Sequence, residues 1–132
     1  MTLGKYLRLV LTTDARVAAL AADRVFTEVL PQSPAVPAVV FTEVTGDEDY
    51  ALDGPTGTTS RRVQIDAWAK TRAEATSLGL AVKAALADHT GAAAGFGVEA
   101  AFLLSERWDF DSETSLYRTS QDYEIWTSGA ES

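Results

Sequence analysis

Between Arg61 and Ala69 apolar and polar side chains change places at nearly every step. Val63, Ile65, Ala67 and Ala69 fall on one side of an extended chain, and Arg62, Gln64, Asp66 and Trp68 on the other. That two-residue period predicts a strand over 61–69. The period then lengthens: Ala75, Leu78, Val82, Ala85 and Leu86 recur at helical spacing and predict a helix over 71–88. Thr71 and Glu74 match a capping box at its start, and Gly91 is placed for a left-handed residue beyond its end. Near the beginning, Leu9, Val10, Thr13, Val17 and Leu20 make an apolar stripe, predicting helix over 3–22. A break falls near 12–14, where Asp14 caps a second segment.

Residues 24–29 and 38–44 are β-prone, the latter through Val39, Val40, Phe41 and Val44. Pro31, Pro34 and Pro37 lie between them, forbidding helix and keeping the connection extended. Residues 46–57 read as a loop with an Asp53-Gly54-Pro55 turn, and residues 91–97 as a small, flexible loop. Two long strands over 98–108 and 116–127 are joined by a turn at 109–114, and 128–132 is a loose tail.

This order predicts a single α+β domain over 1–132, a mostly antiparallel sheet of about five strands with two helices packed on one face. Val63, Ile65, Tyr123 and Ile125 then share the helix side, leaving Gln64, Trp68, Arg118 and Trp126 on the other. Two tryptophans on an uncovered face either meet a partner or pack at an edge or under a loop.

Composition narrows the chemistry. The chain has 132 residues, no cysteine and a formal charge of −8. Disulfides and thiolate metal sites are thereby excluded, which fits assembly in a cytosol. The first apolar run is interrupted by Lys5, Tyr6 and Arg8, so it reads as a buried amphipathic helix and not a signal peptide; no run is long enough to span a bilayer. Two acidic stretches, one at Glu43, Asp47, Glu48, Asp49 and Asp53 and one at Glu106, Asp109, Asp111 and Glu113, disfavour tight nucleic-acid binding. The bland reading of such stretches is a solvated face.

Catalytic patterns are weak. The single histidine, His89, ends a helix, where a cation suits the dipole. Gly54–Gly57 lacks the lysine and helix start of a phosphate loop, and residues 91–97 lead into a strand. Asp109, Asp111 and Glu113 alternate as in a calcium loop, but Thr114 stands where its glycine belongs and Ser120 where its glutamate belongs. An acidic hairpin turn accounts for them better. No catalytic, cofactor-binding or metal-binding residue is assigned, and no enzymatic activity is expected.

Three ordered segments carry a positive signal. Tyr50-x-Leu52-Asp53-Gly54-Pro55, Arg62-Val63-Gln64-Ile65-Asp66-x-Trp68-Ala69, and Leu116-Tyr117-Arg118-x-Ser120-x-Asp122-Tyr123-x-Ile125-Trp126 resemble the tail completion, or tail terminator, proteins of long-tailed phages and gene transfer agents. Asp23-Arg24-Val25-Phe26, Pro31-Gln32 and Pro37-x-Val39-Val40-Phe41 agree more loosely. The resemblance implies a structural virion protein, made in the bacterial cytoplasm, that forms a hexameric ring at the head-proximal end of the tail tube. Such a ring stops tube polymerisation, joins tail to neck or head-completion protein, and lets DNA pass its lumen without specific binding. Contact with tail tube protein, but not with a membrane, follows from the same resemblance. Within it, Tyr50, Leu52, Asp53, Gly54, Pro55, Trp68 and Trp126 are expected at partner interfaces. The rival expectations are another head–tail connector component, such as a neck stopper or head-completion protein, and a small acidic ligand-binding or metal-dependent module.

Overall fold

The structure, a computed structural model, describes residues 1–28, 30, 35–44 and 59–129. Helices α1 (Leu3–Thr13), α2 (Ala15–Ala21) and α3 (Arg72–Leu86) accompany strands β1 (Val25–Thr27), β2 (Ala38–Glu43), β3 (Thr59–Ala69), β4 (Gly91–Ala93), β5 (Phe96–Asp111) and β6 (Leu116–Gly129). The strands form one sheet in the order β1-β2-β3-β6-β5-β4. Every pairing is antiparallel except β1 with β2.

The α+β class and the antiparallel bulk of the sheet follow the expectation; the element count does not. Asp14 divides the first helical stretch in two, with φ −71° and ψ 124°, while its carboxylate accepts the amides of Arg16 and Val17 at 2.9 and 3.1 Å. That break resets the helical phase. The buried face of α1 is therefore Leu3, Tyr6, Leu7 and Leu11; Leu9 and Thr13 of the expected stripe are exposed and Val10 is half-buried. Past the break, Val17 is buried as expected.

A sixth strand appears where a loop was expected. Gly91–Ala93 pairs with Phe96–Val98 across Ala94 and Gly95, whose φ values of 51° and 79° suit the tight turn of a two-residue hairpin. Gly91 is thus in a strand, and the left-handed residue after α3 is Asp88, with φ 61°. A Cβ on Gly91 would stand 2.6 Å from the Tyr6 hydroxyl, so close approach of that side chain is what glycine permits here. The parallel β1–β2 pair also departs from a hairpin-only sheet.

α3 begins as its capping residues direct. The Thr71 hydroxyl accepts the Glu74 amide at 3.1 Å and donates to the Glu74 carboxylate at 3.2 Å, so the glutamate holds the threonine side chain instead of its backbone. The turn between β5 and β6 is organised by Asp111, which accepts the Glu113 amide at 3.1 Å and the Thr114 hydroxyl at 3.0 Å.

All three helices contribute to one core with the sheet. Leu3, Leu7, Leu11, Val17, Leu78, Val82 and Leu86 meet Val39, Phe41, Val63, Ile65, Tyr123 and Ile125 there. Polar side chains of β6 also reach into this layer and lock α3 down. Thr119 donates to the Ala75 carbonyl at 3.0 Å and Gln121 to the Gly79 carbonyl at 2.9 Å, while the Tyr123 hydroxyl donates to Gln121 at 2.7 Å. These bonds satisfy groups that would be costly to bury alone.

Candidate interface

The sheet face away from the helices is where the sequence placed two tryptophans. β3 and β6 pair from Thr59↔Thr127 to Ala69↔Tyr117, and this register brings Gln64, Asp66 and Trp68 beside Asp122, Ser120 and Arg118. The expected parity holds, and of the two settings open to Trp68 the structure shows packing within its own chain. Its side chain is 8% exposed, packed with Val40 and Leu116 and bordered by Phe26, Leu30 and Val36. The Arg118 guanidinium lies 5.1 Å from the ring centroid. Residues within and after β1, in β2 and at the start of β6 form a small second core around the tryptophan. Trp126 is half-buried, its indole donating to Glu124 at 3.3 Å. Tyr50, Leu52, Asp53, Gly54 and Pro55 lie outside the described residues.

Charge on this face is internally matched. Ser120 donates to Asp66 at 2.6 Å, Gln64 donates to both Asp66 oxygens at 3.1 and 3.2 Å, and an Arg118 nitrogen stands 3.8 Å from that carboxylate. Arg118 also holds Asp109 through two bonds, which keep the Asp109 carboxyl below the usual carboxylate range. Burial pushes the Asp122 carboxyl up, but the Arg107 bond at 2.9 Å and the Ser105 bond at 2.8 Å outweigh it and leave the group lowered. The arginines are consumed in the sheet itself. Among the described residues, no group of three or more His, Asp or Glu is placed to hold a metal ion.

The one histidine also departs from expectation. Tyr6 and His89 join their hydroxyl and Nε2 at 2.8 Å, and burial lowers the imidazole below its ordinary pKa of 6.5. A neutral ring bonded to a tyrosine replaces the expected cation at a helix end. Because the folded pKa is depressed, the unfolded chain binds the proton first. Its stability contribution is full above about pH 6.5 and is lost as pH falls from there through the folded value. We expect the melting temperature to drop between about pH 7.5 and 5.5, and His89→Gln to flatten that slope. Parallel pH profiles for the two proteins would refute this account. The lowered carboxylates of Asp14, Asp109 and Asp122 act in a more acidic window, below about pH 4.

The surface that sequence reasoning missed is β5. Phe102, Leu104, Trp108 and Phe110 are 45 to 51% exposed. A register shift between Leu103 and Ser105 puts Trp108 and Phe110 on the helix side, opposite Thr119 and Tyr117, whereas Phe102 opposes Glu124 on the other face. Phe110 meets Tyr117 at a tilt of 58° with centroids 4.9 Å apart, and Arg72, Ala75, Trp108, Asp109 and Arg118 line a shallow hollow with them. The signal in the sequence was alternation of Trp108 and Phe110 with Arg107, Asp109 and Asp111. It marks a strand, but does not say which face stays uncovered.

Aromatic side chains along a strand border, with arginines and carboxylates neutralising one another within the sheet, are the features of a component built for assembly. The class is a structural one. The family described as tail completion protein gp17 matches residues 5–128, and the chain belongs to that family. It is accordingly a structural protein of phage tails. Among solved structures, a chain of the "virion of native gene transfer agent (GTA) particle" has the same fold, with a TM-score of 0.76 and 21% identity, covering 96% of this chain and 95% of that one. No curated protein matches the sequence.

Proposed function

We propose that this protein is the tail terminator: a ring-forming subunit, most simply a hexamer, seated at the head-proximal end of the tail tube of a virion or phage-like particle. The ring stops tube polymerisation and presents a surface to the neck or head-completion protein, while DNA crosses its lumen. The observation that carries this reading is family membership over residues 5–128. The full-length likeness to a chain from a gene transfer agent particle supports it. So does a formal charge of −8, which lets DNA slide past without adhering.

Partner contacts in this reading come from Tyr50, Leu52, Asp53, Gly54 and Pro55, together with Trp126. Trp68 serves as packing within the subunit, since its own chain covers it. No step of catalysis and no cofactor enters.

Electron microscopy of particles from a strain lacking the gene tests the proposal. Abnormally long, headless tubes beside tailless, filled heads are expected. Tails of normal length detached from heads would assign the chain to a neck component instead. Intact particles would refute any role in tail completion.

A further inference from the structure

β5 is paired along its whole length on one side only. On its outer side β4 covers Phe96–Val98, and the Asp88 amide donates to the Ala101 carbonyl at 2.9 Å. From Phe102 to Asp111 no strand among the described residues borders it. At roughly 3.4 Å per residue that is an open edge on the order of 34 Å long. Edges of this length invite pairing, and folded proteins keep them short or cover them. This edge is also lined by Phe102, Leu104, Trp108 and Phe110, and it runs past Asp109, which Arg118 holds, into the carboxylates of Asp111 and Glu113.

A surface of matching chemistry stands on the same chain. The outward side of α1 presents Lys5, Arg8 and Leu9, the last 42% exposed, and the helix LGKYLRLVLTT contains no acidic residue. Arg8 spends one weak bond on the Asp23 carbonyl at 3.4 Å. Ammonium and guanidinium groups are donors only, so they suit both the carboxylates and the unpaired carbonyls of an open strand. α1 lies across the sheet, meeting β1 and, through Tyr6, Gly91 of β4 and Phe96 at the start of β5, while Lys5, Arg8 and Leu9 face outward. The two surfaces are different patches, and contact between them repeats head to tail, as ring closure demands.

We propose that the open edge of β5 is one half of the copy-to-copy interface, and that a second copy of this chain fills it with the Lys5–Arg8–Leu9 face of α1. This inference rests on the ring reading above.

The chain has no cysteine, so introduced thiols report without background. Leu9→Cys and Phe110→Cys, combined and treated with a flexible bis-maleimide in purified particles, are expected to yield a ladder of covalent multimers. Neither single variant is expected to do so. A dimer from Phe110→Cys alone would overturn the α1 half, since it reports edge meeting edge. Monomer alone from the double variant, in particles with tails of normal length, would overturn the inference and leave the ring reading standing. Tails that are unchanged when the gene is deleted would sink the ring reading itself.

Charge exchange supplies a second test. Lys5→Glu with Arg8→Glu, or Glu113→Lys alone, is expected to lower particle yield by on the order of tenfold. Joining all three changes is expected to recover most of it. All three side chains are exposed, so thermal melts should remain near wild type. Undiminished yield from either charge change alone would overturn the proposal.

Discussion

Trp68→Ala is expected to cost the isolated chain about 3–5 kcal/mol, the usual toll for emptying a large aromatic site. The indole is 8% exposed, and it holds Val40 and Leu116 together on the face of the sheet that the helices do not cover. Its loss also strips Arg118 of the ring 5.1 Å beneath its guanidinium, a contact worth about 0.5–1 kcal/mol at a partly exposed site. Against a total stability of about 5–15 kcal/mol, the variant stands near the edge of folding. Trp126→Ala, on the same face but half-buried, is expected to cost markedly less. Urea unfolding of both variants decides the matter. If Trp68→Ala kept wild-type stability and failed only in assembly, the residue would be an interface group and the packing account would be wrong.

The second large effect is expected at Gly79. A Cβ built there falls 2.7 Å from the Thr119 methyl carbon and 3.0 Å from its Cβ. Thr119 is 1% exposed, β-branched, and bonded to the Ala75 carbonyl at 3.0 Å, so it has little freedom to turn aside. Alanine in a helix interior gains about 1 kcal/mol over glycine, but overpacking a filled core costs about 1–3 kcal/mol. Gly79→Ala is therefore expected to destabilise the chain by up to about 2 kcal/mol, against the helix-propensity trend. Thr119→Ser removes the nearest carbon while keeping the hydroxyl, and in combination it should recover part of that loss. Additive effects in a double-mutant cycle would show that the clash is relieved elsewhere.

The glycine also explains why α3 lies so close to β6. Gly79 carries no side chain on the surface that meets the sheet, and its carbonyl accepts Gln121 at 2.9 Å. Gln121 in turn accepts the Tyr123 hydroxyl and donates to Glu106 at 2.8 Å. Burial raises the pKa of the Tyr123 hydroxyl, with the nearby Glu106 charge adding to it, so the group remains a donor. At the start of the helix Arg72 and Ala75 line one side of the hollow beside Trp108 and Phe110, and these two aromatics remain about half exposed.

Much of this was legible in advance, and the reasons are local. Alternation at Val63, Ile65 and Ala67 allocates faces because successive strand side chains must oppose each other. Thr71 and Asp14 start helices because a side-chain oxygen there satisfies amides that the helix leaves unpaired. The hairpin of β5 and β6 and the family resemblance were legible for the same kind of reason: short-range patterns and ordered residues suffice. By contrast, the phase of α1 failed at Leu9 because a stripe drawn through Asp14 ignores the rotation that the break introduces. β4 escaped notice because Gly91–Ala93 is small-residue sequence that pairs only when Phe96–Val98 is beside it.

By itself, then, the sequence determined the α+β class, the direction each β3 and β6 side chain takes, two helix starts and membership of a tail-protein family. Tertiary structure alone decided which of those side chains are covered. Trp68 and Trp126 share a face, yet one is sealed because Phe26, Leu30, Val36 and Leu116 return to it and the other is only half-covered. Strand propensity is equally blind to neighbours: it predicted β5 as a strand, but not that its outer edge would go unpaired from Phe102 to Asp111. Alternation is a property of the backbone, whereas burial depends on where distant parts of the chain come to rest.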